Sequence, residues 1–258
     1  MIDLMKRHWP EYLIEGSLLG LFMISATLWT VVLEHPASPL RAMLPEPLPR
    51  RALMGIAMGA TAAALIYSPW GRRSGAHFNP SVTLTFLSLG KVAAGDAFFY
   101  VASQFAGGLL GVLLVAALLG MALGHPAVHF AATLPGPSGP AAAFAAEAVI
   151  SFVLMLAILV VSNTRRLARL TGLCAGILVA AWITLEAPIS GMSMNPARSV
   201  ASALPAGALD GLWIYFTAPP LGMLLAARAY LGLRGARAMA CAKLHHDNPT
   251  RCIFRCAR

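Results

Sequence analysis

Two loops of this chain carry residue types that can handle a polar molecule without charge. One reads SGAHFNPSVT (Ser74–Thr83) and the other SGMSMNPARS (Ser190–Ser199). In each, Ser-Gly stands five and four residues ahead of an Asn, Pro follows directly, and the two asparagines, Asn79 and Asn195, are 116 residues apart. An asparagine amide offers two N–H donors and one carbonyl acceptor with no net charge. Arg198, three residues after Asn195, adds one fixed cation. A separate group lies in the tail, where CAKLHHDNPTRCIFRC brings Cys241, His245, His246, Cys252 and Cys256 close in sequence. Zinc takes Cys and His in tetrahedral sites, and Cys241 with His245 and Cys252 with Cys256 make one four-ligand set. A redox switch, lipid attachment, or a basic interfacial segment that dips Ile253 and Phe254 into headgroups are the other readings of this tail. Otherwise the chain calls for no cofactor.

The elements that must hold these residues are set by composition. The chain is 58% hydrophobic and 11% charged, against about a quarter charged in ordinary soluble domains. Too few charges exist to cover so much apolar side chain in water, so the chain reads as a membrane protein. Six apolar runs fit spans of about 20 residues: Tyr12–Leu33, Ala52–Tyr67, Ala97–Leu123, Ala141–Val161, Leu170–Leu185 and Leu209–Leu231. Fifteen of the 19 lysines and arginines fall in alternate segments, at Lys6–Arg7, Arg72–Lys91, Arg165–Arg169 and Arg228–Arg258. By the positive-inside rule both termini face the cytoplasm, which predicts a multi-pass protein of the plasma or inner cell membrane. The net charge of +9 then reflects topology and contact with anionic lipid, and no nucleic-acid motif accompanies it. The apolar run after Lys6-Arg7 is too long for a signal peptide and lacks a cleavage site.

Each Asn-Pro precedes about ten helix-compatible residues. Proline suits the first helical position and Asn caps the turn. Ten residues rise roughly 15 Å, about half a bilayer. Three spans per half is an odd number, so the second half lies inverted relative to the first. The expected fold is an all-α membrane protein with six transmembrane helices and two re-entrant half-helices in an inverted three-plus-three repeat. Residues 1–130 form the first repeat, 131–233 the second, and 234–258 a basic Cys/His-rich tail. The half-helices then meet near the midplane at Asn79 and Asn195. Irregular backbone at that depth is stable only when buried or lining a water-filled cavity, and two helix N-termini aimed at one place repel cations. The only titratable groups deep in the spans, Glu15 and Glu147, sit in separate repeats without a His in register, so intramembrane catalysis is not expected.

Paired SG-xxx-NP loops on such a repeat resemble the major intrinsic protein family, the aquaporins and glycerol facilitators. The similarity runs over roughly Glu11 to Tyr230 and includes YVASQFAGGLLG around Gln104, Glu147, NPARS and WIYFTAPPLG. The resemblance implies a homotetramer with a pore in each protomer, and passive passage of water and small neutral solutes. Asn79-Pro80-Ser81 and Asn195-Pro196-Ala197 correspond to the family's central constriction, whose amides donate to the passing oxygen and interrupt a proton wire. Arg198 is similar to the cation of the outer filter. Carbonyls of Gly75, Ala76, His77, Gly191, Met192 and Ser193 would line the two half-pores, and Glu15 and Glu147 would accept from the loops' backbone N–H groups. His77 is similar to a histidine at the cytoplasmic mouth, as either a pH gate or a static brace.

Departures from the family pattern bear on what passes. Ser81 stands where the family usually has Ala, and is expected to bond a nearby carbonyl. Ile183 takes the place of a His, Met192 a usually small position, and Met58 or Gly59 the bulky aromatic of span two. These favour a solute larger and less polar than water, such as glycerol, ammonia or a neutral metalloid hydroxide. Ser199 and the pair Tyr215-Phe216 are instead similar to water channels. Water ranks first, with a solute facilitator and a non-channel receptor or structural role as alternatives. GxxxG pairs such as Gly16/Gly20, Gly55/Gly59, Gly107/Gly111 and Gly172/Gly176 suit close helix crossing.

Overall fold

The structure, a computed structural model, describes residues 2–235, 239–246 and 248–256, so the expected basic residues Arg237 and Arg258 lie outside the described residues. Among the described residues six long helices carry the fold: α1 (Ile2–Glu34), α3 (Pro47–Tyr67), α6 (Ala94–Leu119), α8 (Gly139–Ser162), α9 (Thr171–Leu185) and α12 (Leu212–Arg234). Between them come α2 (Pro39–Met43), α4 (Pro69–Ser74), α5 (Pro80–Ser88), α7 (Met121–Gly124), α10 (Ala187–Ser190) and α11 (Pro196–Ala206). Four of the long segments, Asp3–Glu34, Ala94–Leu119, Gly139–Ser162 and Ala168–Leu185, are long and apolar enough to cross a membrane on those grounds alone. The other two, α3 and α12, carry Arg50 and Arg51 at one end and Arg228 and Arg234 at the other.

The half-helices α5 and α11 start at the prolines of the two Asn-Pro pairs. The first span begins ten residues before its apolar run because polar pairs hold the added turns: His8 Nδ1 lies 2.8 Å from Asp96, Tyr12 donates to Asp96 at 2.6 Å, and Arg73 pairs with Glu11 at 3.0 Å. The third ends at Leu119 rather than Leu123, broken by Gly120 at φ 54°.

Packing pairs α1 with α6, α8 with α12 and α3 with α9, and each half-helix leans on both α6 and α12. Small residues let the backbones touch. A Cβ on Gly107 would sit 2.0 Å from the Gly16 carbonyl oxygen, and one on Gly59 would sit 2.3 Å from that of Gly176. Side chains facing outward are apolar, including Leu110, Leu114, Leu118, Ile177 and Leu233, as expected where lipid is the solvent.

Candidate functional site

Each loop is a strained stretch of backbone held by one buried carboxylate. Short helices α4 and α10 end on Gly75 (φ 102°) and Gly191 (φ 79°), in the left-handed region that a Cβ disfavours. Beyond them Ala76, Phe78, Met192 and Met194 also have positive φ, from 30° to 56°. Such residues persist where surrounding contacts over-determine them. Glu15 accepts from Ser74 Oγ (2.7 Å), His77 N (3.1 Å), Phe78 N (2.7 Å) and Gln104 Nε2 (2.9 Å). Glu147 accepts from Ser190 Oγ (2.8 Å), Ser193 N (2.6 Å) and Met194 N (2.7 Å). Tyr100 and Tyr215 donate their hydroxyls to the Ser74 and Ser190 carbonyls.

The loops also brace each other. Asn79 Nδ2 donates to the Met194 carbonyl at 2.7 Å, and Asn195 Nδ2 donates to the Phe78 carbonyl at 2.8 Å. Each Oδ1 is used inside its own half-helix, Asn79 accepting from Ser81 N and Asn195 from Ala197 N and Arg198 N. An amide has two N–H donors, so one on each Asn remains beyond this bracing, and both asparagines line one cavity of about 460 Å³. That cavity passes from Thr30, Arg51 and Ile183 at one end, past Arg198, Asn195 and Asn79, to Ile66, His77 and Leu244 at the other. Glu15 and Glu147 are outside its lining and wholly buried behind the loops. Arg198 lines it, and donates from its guanidinium to the Ala131 carbonyl (2.8 Å) and Ser202 Oγ (3.3 Å).

Several expected positions are distributed differently. Met58, Ile183 and Met192 line the cavity, but Gly59 does not, because its missing side chain is what lets α3 touch Gly176. Met54, one turn before the expected Met58, also lines it. Gly55 meets Ala180 and Thr184 while Gly59 meets Gly176 across antiparallel helices, which levels Met54 rather than Met58 with Ile183. Arg51, Met54, Met58 and Ala62 line the cavity at helical spacing, and only the glycine contacts across to α9 pick Met54 as the residue level with Ile183. Among the six carbonyl positions, His77, Gly191, Met192 and Ser193 line the cavity. Gly75 and Ala76 do not, and the Gly75 carbonyl is taken by Leu244 N at 3.0 Å. Ser81 Oγ is buried without the carbonyl partner expected of it among the described residues. Ala197 at the matching position is fully buried. The residues read as marks of a water channel stand behind the wall: Tyr215 braces Ser190, Phe216 stacks on Phe105, and Ser199 ties Thr133 to Ser193.

The tail folds back across the loop end instead of lying along an interface. Its root is fixed to the end of α8, where Ala240 N donates to Asn163 Oδ1 (2.7 Å) and His246 Nε2 to the Ser162 carbonyl (2.6 Å). His77 Nε2 donates to the Ala242 carbonyl at 2.8 Å, and its ring stacks between Phe86 and Phe254 with centroids 5.1 and 5.3 Å away. Lys243 joins the two arms of the tail through the Thr250 hydroxyl (2.9 Å) and the Arg251 carbonyl (2.8 Å). Burial holds its ammonium below the ordinary value, opposed by nearby Cys252 and Glu11. Cys241 and Cys256 are joined as a disulfide, and Cys252 Sγ lies 3.6 and 3.3 Å from their sulfurs. His245 is outside this group; its ring packs edge-on against Tyr67.

The family described as Major intrinsic protein matches residues 11–230. Aquaporin NIP1-2 of Arabidopsis thaliana is 38% identical over 185 residues, covering 69% of this chain and 62% of the relative. Aquaporin NIP1-1 of Zea mays is 35% identical over 178 residues, covering 69% and 61%. The chain thus spans about three fifths of the length of the curated relatives it matches. A solved aquaglyceroporin from Plasmodium falciparum shares the fold with a TM-score of 0.72 at 19% identity, over 86% of this chain and 95% of that one.

Proposed function

The chain belongs to the major intrinsic protein family, and we propose that it is a passive membrane channel for water that also admits other small neutral solutes. The observation that carries this reading is the opposed pair of amides, Asn79 and Asn195, each with one N–H left over at the wall of the same cavity. A molecule held by both must present an acceptor to each, and it cannot also pass hydrogen bonds along the file. The N-termini of α5 and α11 add positive dipole ends there, and Arg198 adds a full charge, which disfavours protons and other cations. One end is lined by Arg198, Met192, Ile183 and Met54. Its walls are apolar and flexible apart from Arg198, and this supports the second reading, a facilitator that passes glycerol-like, ammonia-like or neutral hydroxide solutes with little preference for water. The lysine and arginine distribution supports a cell-membrane protein with both termini in the cytoplasm. Apolar outer faces beside the α1–α6 crossing suit assembly with lipid and with further copies in a homotetramer.

Stopped-flow light scattering on proteoliposomes tests the reading. Fast shrinkage with an impermeant osmolyte, above that of protein-free vesicles, is the expected result. Rapid re-swelling in glycerol would move the solute facilitator to the front. No flux of either solute in the reduced, metal-free protein would refute the channel.

A further inference from the structure

We infer that Cys241, Cys252 and Cys256 form a three-thiolate site for a soft divalent metal ion, whose occupation fixes the tail across the loop end of the cavity. Among the described residues these three sulfurs lie within 4.8 Å of one another. Two thiolates bound tetrahedrally to one zinc-like ion, at about 2.3 Å each, stand roughly 3.8 Å apart, close to the 3.6 and 3.3 Å that separate Cys252 Sγ from the other two. Cys241 is buried while Cys252 is exposed, so the group has a solvent-facing side from which an ion can approach. Sulfur-only donor sets select thiophilic ions over hard ones. Lys243, clamped to the Thr250 hydroxyl and the Arg251 carbonyl, holds the Cys252 arm beside the Cys241 arm.

The site joins two arms of the tail that Lys243 also bridges. Cys241 adjoins Ala242, which His77 holds, and the same arm continues to Leu244, which lines the cavity. Cys252 and Cys256 flank Phe254, which stacks on His77 and fills the space that a Cβ on Gly75 would need, with Cε2 at 2.7 Å. An ion on all three sulfurs therefore ties both arms to the loop that carries Asn79.

The chemistry balances without further partners. Two equivalents of a thiol reductant cleave the Cys241–Cys256 bond, giving two cysteine thiols and one reductant disulfide. The dication then displaces three protons from three thiols, and a water supplies the fourth ligand. The closing effect rests on the channel reading, and on that reading's orientation the tail faces the cytoplasm, where thiols are kept reduced.

The test uses the full-length protein, reduced and freed of metal, with Cd²⁺ and Zn²⁺ as probes. Cd²⁺ titration should give a thiolate-to-metal absorption that saturates at one ion per chain, and Zn²⁺ should compete for it. Bound metal should slow tryptic cleavage after Arg251 and Arg255 several-fold. A variant with Cys241, Cys252 and Cys256 all changed to Ser should lose both effects, while His245→Ala should keep them. In proteoliposomes, metal should lower water permeability several-fold in the parent protein, reversibly with a chelator, and leave the triple-Ser variant unchanged. Absence of saturable absorption, or its survival in the triple-Ser variant, overturns the site. Binding without protection from trypsin, or without loss of flux in a conducting protein, overturns the clamp. A protein without flux in every state sinks the channel reading, and absorption and proteolysis still decide the site.

Discussion

The two Asn-Pro loops are built alike and finished differently. In both, a buried glutamate collects a serine hydroxyl and two consecutive backbone N–H groups, and a tyrosine hydroxyl holds the serine's carbonyl. The repetition marks what the loop conformation requires: left-handed residues inside a membrane protein need every donor placed. Beyond that core the loops diverge. The first adds Gln104 and ends against the tail through His77 and Gly75. The second adds Thr133 and Ser199 and ends on Arg198. What is shared holds the pair of amides in place; what differs sets what meets a solute at either end.

The shared part is where the largest effect is expected. Glu147→Ala removes the acceptor for three buried donors and Glu15→Ala for four. At 1 to 3 kcal/mol for each stranded group, the first change costs about 3 kcal/mol or more and the second about 4 kcal/mol or more. Thermal unfolding in detergent should show both variants severely destabilised, with Glu15→Ala the worse. Equal, small losses would mean that the loops hold themselves and that the carboxylates are incidental.

That shared core is also the part most legible in the sequence. Ser-Gly before Asn-Pro, twice, with a glutamate in the first span of each half, places the half-helices, their caps and their carboxylates, because each contact is repeated and each turn needs a specific residue. The first span's extra turns were not legible, since they depend on Asp96 and Arg73, distant in the chain. The tail was hidden for the same reason. Its contacts to His77, Gly75 and Asn163 follow no period, so its composition pointed to a headgroup-facing segment. Met54 was not legible because spacing alone cannot choose between neighbouring turns of α3, whereas the Gly55–Ala180 contact can.

The paired glycines offer a narrower test of where the loops diverge. A methyl on Gly191 would stand 2.7 Å from the Leu134 backbone nitrogen and 3.0 Å from Thr133 Cα, neither of which can step aside. On Gly75 it meets the Phe254 ring at 2.7 Å. Both substitutions bear a left-handed penalty of about 1 to 2 kcal/mol. Gly191→Ala should lose about 1 kcal/mol more through the backbone clash, whereas Gly75→Ala should push Phe254 aside and raise water permeability. Unfolding midpoints and vesicle shrinkage read the two outcomes separately.

At the ends, substitution should change selectivity at one and throughput at the other. Arg198→Ala removes the cation that lines the Ile183 end and should raise glycerol permeability relative to water about tenfold, equivalent to ~1.4 kcal/mol in the barrier. Leu244→Ala trims the tail residue at the other end and should raise both permeabilities together, leaving their ratio unchanged. A ratio that moves with Leu244 would place the discriminating step at the tail end.

The smallest effect is expected from making the first loop copy the second. Ser81 and Ala197 follow equivalent Asn-Pro pairs, and both are wholly buried. The Ser81 hydroxyl has no partner among the described residues, and a buried hydroxyl without one costs about 1 to 3 kcal/mol. Ser81→Ala should therefore raise the unfolding midpoint slightly and leave permeability unchanged, while Ala197→Ser should lower the midpoint by a comparable amount. If Ser81→Ala destabilises instead, a water must bridge that hydroxyl to the loop. The first loop would then differ from the second inside its shared core as well as at its end, and the equivalence of the two amides would no longer follow from their common scaffold.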